Sequence, residues 1–167
     1  MAPGARRQRN RASTPWADRR RTAAWLFRSG VGAVQRALAV ATAVLLGIDA
    51  YVHLHDAHFY DSAASSTISE GSLFRAQAIV AVVVAVALLV RPHPVVWAVA
   101  VLVTASAVGA VLLYTYVDVG ALGRLPDLYE PTWALPGKLA SAVAEGLGTL
   151  LAITGFVVAV ARKPSTR

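Results

Sequence analysis

The sequence has no cysteine, so disulfides, thiolate metal sites, iron–sulfur clusters and thiol catalysis are excluded. Charge is also scarce. Charged residues are 15% of the 167 positions, against about 25% in soluble domains. So few charges cannot clothe an apolar content of 56%, and this argues against an ordinary soluble domain. The same apolar content argues against a disordered chain. The apolar runs show no polar–apolar alternation, which speaks against an outer-membrane barrel. What is present in quantity is Ala, Val and Leu in long runs. Valine taken alone favours strands. In lipid a continuous apolar run must satisfy its backbone within itself, so a helix is expected instead.

Four such runs define the expected organisation. Residues 1–30 hold eight arginines and one acid, Asp18, a self-repelling stretch expected to be a disordered tail. Residues 31–162 are expected to form a four-helix transmembrane domain, with spans near 37–57, 72–90, 95–117 and 139–161, each about the length that crosses a hydrocarbon core. Residues 163–167 are a short tail. The Arg91-Pro-His-Pro94 segment leaves room only for a tight turn between the second and third spans. The expected fold is therefore an all-α membrane protein, an antiparallel bundle of four transmembrane helices. A cleaved signal peptide is not expected, because the basic region is too long and no small-residue cleavage site ends the first run.

The basic residues orient the chain. With the N-terminus inside, thirteen Lys and Arg fall on the cytoplasmic side, and Arg75, Arg124 and Lys138 fall outside. Both termini are expected to be cytoplasmic, in a bacterial inner membrane. The net charge of +7 sits mostly in the tail, which points to anionic lipid rather than nucleic acid. In the fourth span, Ala140, Ala144, Gly148 and Ala152 form an i, i+4 stripe suited to close helix packing. Packing within the chain is the plainer reading, and a homo-oligomer or a membrane-protein partner is the other.

The polar residues inside the spans carry the functional signal. At 100° per residue, Asp49, His53, Asp56 and Tyr60 share one face of the first helix, and Tyr51, His55 and His58 share the opposite one. Asp49 lies about 12 Å and Glu145 about 13 Å below the outer ends of their helices, at 1.5 Å per residue. Arg75 could reach that level, and Tyr114, Tyr116 and Gln77 are further candidates. An ionisable residue within a membrane costs at least ~2.5 kcal/mol, so two carboxylates there should pair, protonate or bind a cation.

Three readings follow. In the first, Asp49, His53, Glu145 and Arg75 form a structural polar network and the chain holds no cofactor. In the second, Asp49, His53 and Glu145 bind a proton or a divalent transition metal in an outward-facing site of a small oligomeric transporter or sensor. The third, catalysis, finds little support. The HLHDAH segment lacks the zinc-protease spacing, no second histidine faces it for haem, and Ser62, Ser65 and Ser66 carry no nucleophile motif. His93, between two prolines, reads as a turn residue.

Two lysines and one asparagine beside abundant Ala, Val and Arg suit a high-GC genome. The segments VHLHDAHFY (52–60), SEGSLFRAQAIVAVVVAVALL (69–89), VGALGRL (119–125) and ASAVAEGLGTLLAI (140–153) resemble those of small actinobacterial four-helix integral membrane proteins of unassigned function. The resemblance covers residues 35–160. It implies the four-helix topology and gives weight to His53, His55 and Glu145, and it implies no activity. The leading expectation is a non-catalytic, accessory or envelope-organising membrane protein with a structural polar cluster. The cation or proton site is the alternative.

Overall fold

A computed structural model describes residues 15–61 and 68–162, with side chains from residue 32 onward. Arg6, Arg7, Arg9 and Arg11, the side chains of Arg19, Arg20, Arg21 and Arg28, Ser62, Ser65, Ser66 and the tail 163–167 lie outside what is described. Four helices follow in order: α1 (Pro15–Asp56), α2 (Glu70–Val90), α3 (Pro94–Tyr116) and α4 (Lys138–Ala161). No strand occurs among the described residues. Each helix is long and apolar enough to cross a membrane.

The chain divides into two compact units, Met1–Ala33 and Val34–Arg167. The first contains the beginning of α1, which is helical from Pro15. Over residues 15–30 this departs from the disordered tail expected there; residues 1–14 of that tail lie outside the described residues. Ala and Arg are strong helix formers, Pro15 suits a first helical position and Asp18 suits the positive end of the helix. Counting charge against apolar content misses that local preference.

Helix ends in the second unit follow from local chemistry. Ser69 caps α2, its hydroxyl accepting from the Ser72 N–H at 3.1 Å, and Glu70 sits in the first turn. At the other end Arg91 is extended, as a residue before proline prefers. Pro94 then opens α3, and the His93 Nδ1 accepts from the Val95 N–H at 3.3 Å. Several hydroxyls inside the helices bond back to their own backbone, as Thr104 does to the Ala100 carbonyl at 2.9 Å and Thr149 to the Glu145 carbonyl at 2.8 Å.

The core is small-residue packing around a few large side chains. Leu46, Leu88 and Trp97 are buried among Ala39, Ala43, Ala81, Ala100 and Ala152. α3 packs on both α4 and α2. The small stripe of α4 lies mostly inside this packing. Ala144, Gly148 and Ala152 are buried, whereas Ala140 is exposed. A methyl group on Gly148 would lie 3.2 Å from Thr104 Cγ2 and 3.8 Å from Leu45 Cβ. On Gly155 it would enter the indole of Trp97. The stripe thus serves contacts within the chain, chiefly with α3 and at Gly148 also with α1. Outside the core the helices expose rows of large apolar side chains, for example Val82, Val83, Val86, Leu89 and Val90 on α2.

The connection over residues 117–137 has no regular structure but is pinned. The Glu130 N–H donates to the Tyr114 carbonyl at 2.9 Å, and Trp133 Nε1 donates to the Tyr116 hydroxyl at 3.3 Å. Lys138 lies over the Trp133 ring, 5.4 Å from its centre.

Candidate functional site

Two ends of the unit can be told apart by their contacts. At the first, which we call the loop end, the Tyr60 hydroxyl donates to Glu130 Oε1 at 3.2 Å and joins the α1–α2 connection to the α3–α4 connection. At the second, the turn end, Gln35 Nε2 donates to the Pro92 carbonyl at 3.0 Å.

The polar cluster lies below the loop end. Asp49 and Glu145 are each only 1% exposed. Helical spacing brings His53 one turn beyond Asp49, so its Nδ1 lies 2.9 Å from Asp49 Oδ1 and 3.0 Å from the Asp49 carbonyl. The same spacing puts Ser141 one turn before Glu145. The Ser141 hydroxyl lies 2.8 Å from Glu145 Oε1 and 3.1 Å from Asp49 Oδ1, bridging α4 to α1. From α2, Gln77 Nε2 donates to Asp49 Oδ2 at 3.1 Å. One oxygen remains: Glu145 Oε2 is buried and has no partner.

Hydrogen counting constrains what the cluster can hold. Ser141 has one proton for two carboxylate oxygens. Gln77 and His53 add one donor each, both directed at Asp49. Nothing among the described residues donates to Glu145 Oε2. A buried acceptor left bare costs about 1–3 kcal/mol. A further proton or a cation is the group that completes the arrangement. Asp49, His53 and Glu145 each offer one donor atom, and these atoms lie within 4.8 Å of one another. A nitrogen with two carboxylates suits a borderline divalent ion.

Access comes from a cleft of about 370 Å³ whose lining includes His53, Gln77 and Ser141. Above them it is walled by Asp56, Glu70 and Glu130, with Tyr60, Phe74 and Tyr114, and by a single cation, Lys138. The Lys138 ammonium donates to the Glu130 carbonyl oxygen. Burial, together with the Glu130 and Glu70 carboxylates, pushes the Tyr60 hydroxyl above its ordinary range, so it stays a donor to Glu130. The cleft is thus acidic and aromatic over a floor that touches the buried carboxylates.

Of the four residues expected on one face of the first helix, Asp49, His53 and Asp56 do lie on α1, whereas Tyr60 lies beyond its end, in the turn that follows, and still reaches the same cleft. Asp49 and His53 form the cluster, while Asp56 and Tyr60 wall the cleft. Asp56 also lies against the start of α4, where Gly137 has φ of 82°. Tyr51, His55 and His58 point elsewhere: all three are exposed and near one another, Tyr51 stacking on His55 at 5.8 Å. Tyr114 lines the cleft but bonds no cluster residue through its side chain, and Tyr116 is exposed beside Trp133.

Arg75 is not in the cluster. It forms a two-point pair with Asp61, at 2.8 and 2.5 Å, near the surface. An exposed carboxylate in the adjoining connection offers bidentate geometry without desolvating the guanidinium, so it outcompetes the buried site. Ser141 was not singled out from the sequence. Its spacing of four from Glu145 was a usable signal, since that offset places a hydroxyl beside a carboxylate on any helix.

No protein family, curated protein or solved structure matches this chain.

Proposed function

We propose that this chain is a non-catalytic, multi-pass protein of a bacterial cytoplasmic membrane, an antiparallel four-helix bundle whose outward-facing cleft leads a cation to Asp49, His53 and Glu145. Four helices of spanning length with exposed apolar rows support the membrane reading. The excess of Lys and Arg at both termini and at Arg91 supports cytoplasmic termini, which turns the loop end outward.

The observation that carries the cation reading is that Glu145, whose Oε2 has no partner among the described residues, shares with Asp49 and His53 a set of ligand atoms within 4.8 Å of one another. Two carboxylates confined with one histidine match the charge and donor preference of Zn, Mn, Fe or Ni. Ca or Mg would want six or more oxygens or retained waters. The cleft is far larger than a bare ion, and its Glu70, Glu130 and Asp56 would concentrate hydrated cations above the site. A device of this kind serves as a sensor, or as one subunit of an oligomeric transporter.

A second reading has its own support. Ser141, Gln77 and His53 supply partners for three of the four carboxylate oxygens. That degree of closure suits a cluster that only fixes helix packing, in an accessory or envelope-organising protein.

Elemental analysis of the detergent-purified chain separates the two. The cation reading expects a stoichiometric transition metal in the wild type and none in Glu145→Gln, with helical content intact in both. Absence of metal from the wild type, together with failure of added Zn or Mn to raise its melting temperature, would overturn it in favour of the packing role.

A further inference from the structure

The turn end carries a second polar recess with the opposite charge. A cleft of about 290 Å³ is lined by Gln35 of α1, by Arg91 and His93 of the α2–α3 turn and by Arg162 after α4. No described carboxylate lines it. Among the described residues neither Arg91 nor Arg162 pairs with an acid.

The arrangement is built rather than incidental. Gln35 is buried at 5% exposure and acts with both ends of its amide. Its nitrogen holds the Pro92 carbonyl, and its oxygen accepts from Arg162 Nη1. One side chain therefore fixes the turn and positions a guanidinium at the mouth. Arginine has five N–H donors in a planar fork, so holding one nitrogen leaves the others for a ligand. The Arg91 side chain makes no bond within the described residues and is exposed at the same mouth. Two guanidinium groups with unmet donors and no counter-charge fit a phosphate oxyanion.

The surroundings decide which phosphate. Val90 and Val95, beside the turn, are 79% and 63% exposed, and Phe156, Val157 and Val160 of α4 are exposed as well. A free phosphate ion makes no use of bare valine. A phospholipid does, with its phosphate in the cleft and its acyl chains along the helices. Basic recesses between helices on the cytoplasmic side are a recognised place for anionic headgroups. We propose that the Arg91–Arg162 cleft binds one anionic phospholipid of the cytoplasmic leaflet through its phosphate. This rests on the membrane reading but not on the cation site.

The test is a lipid titration of the full chain in detergent, followed by native mass spectrometry with phosphatidylglycerol and phosphatidylcholine. Arg91→Gln is the informative variant, because that side chain supports no other described contact and its loss leaves the packing intact. A charge-assisted bond lost on each side predicts about tenfold weaker phosphatidylglycerol retention in Arg91→Gln, and again in Arg162→Gln. Arg91→Lys should fall between, since it keeps charge but loses the fork. Arg124→Gln, an exposed arginine in the α3–α4 connection, and Glu145→Gln should retain the lipid as the wild type does. Equal retention of phosphatidylcholine, or an equal loss in Arg124→Gln, would overturn the proposal, since either means diffuse lipid association. Displacement of the lipid by inorganic phosphate at similar concentration would overturn the lipid assignment and leave a phosphate site. A chain that stays soluble and monodisperse without detergent would refute the membrane reading itself, independently of the arginines.

Discussion

Between the turn end and the polar cluster the helices meet chiefly through alanine, glycine, leucine and one tryptophan; beneath the loop end they meet through two carboxylates, a histidine, an amide and a hydroxyl. The first interface is fixed by shape. Gly155 exists where it does because the Trp97 indole occupies the place of its side chain. The second is fixed by donors and acceptors, and it is left one donor short at Glu145. Buried atoms without a partner occur in both regions, at Trp97 Nε1 and Thr42 Oγ1 as at Glu145 Oε2, but only the second gathers ligand atoms of two carboxylates and a histidine within 4.8 Å. The contrast separates what holds the helices together from what the helices hold.

Breaking the shape-fixed region should have the largest effect. Trp97→Ala removes a fully buried indole and should lower unfolding free energy by about 3–5 kcal/mol, read from unfolding in mixed micelles. Gly155→Ala, which overpacks the same contact, should cost about 1–3 kcal/mol. Added Zn or Mn should raise the melting temperature of Trp97→Ala by as much as it raises the wild type, because the lesion is remote from the ligands.

In the donor-fixed region Asp49→Asn should cost about 1–3 kcal/mol, because an amide nitrogen then faces donors that need an acceptor. Unlike Trp97→Ala, it should show no stabilisation by metal in the same melting assay. If both variants responded to metal alike, the division between packing and binding regions would fail.

Gly137→Ala probes the joint between α4 and the cleft. The position has φ of 82°, and an added methyl would lie 2.6 Å from Asp56 Oδ2 and 2.7 Å from Val52 Cγ1. Left-handed strain alone costs about 1–3 kcal/mol. The melting temperature should fall, while metal stoichiometry should hold, since Asp56 walls the cleft without contributing a ligand.

The smallest effect belongs to the Asp61–Arg75 pair. Its bonds to the guanidinium hold the Asp61 carboxyl below its ordinary value of 3.8. A depressed carboxyl stabilises the fold above that ordinary value and loses the contribution as pH falls through the lowered one. Both groups are open to solvent, so Asp61→Asn should change the melting temperature at neutral pH barely beyond error, and less still in high salt.

Much of this was legible in the sequence, for identifiable reasons. Four apolar runs without alternation leave the backbone one way to satisfy itself; α2, α3 and α4 lie within two residues of the expected spans, and α1 ends where expected but begins far earlier. The face of α1 that bears Asp49, His53 and Asp56 followed from helical period alone, whereas Tyr60 reaches the same cleft from the turn after the helix. Pairing Asp49 with Glu145 followed from matching their depths, because both are measured from helix ends on one side. What could not be read were choices among competing partners. Arg75 had a distant buried carboxylate and a near exposed one, and desolvation decided for Asp61. The start of α1 at Pro15 depended on helix preference in a charged stretch, where self-repulsion suggested the reverse. The cleft over the cluster depended on where the α3–α4 connection folds back, which no periodicity encodes.

The central claim is that the Asp49–Glu145 pair holds a proton that a divalent cation displaces. Calorimetric titration of the metal-stripped chain with Zn or Mn, in buffers of different ionisation heat, counts the protons exchanged. Saturable binding that releases about one proton per chain, abolished in Glu145→Gln, is the expected result. Binding without proton release, or no binding by a folded wild-type chain, would contradict it.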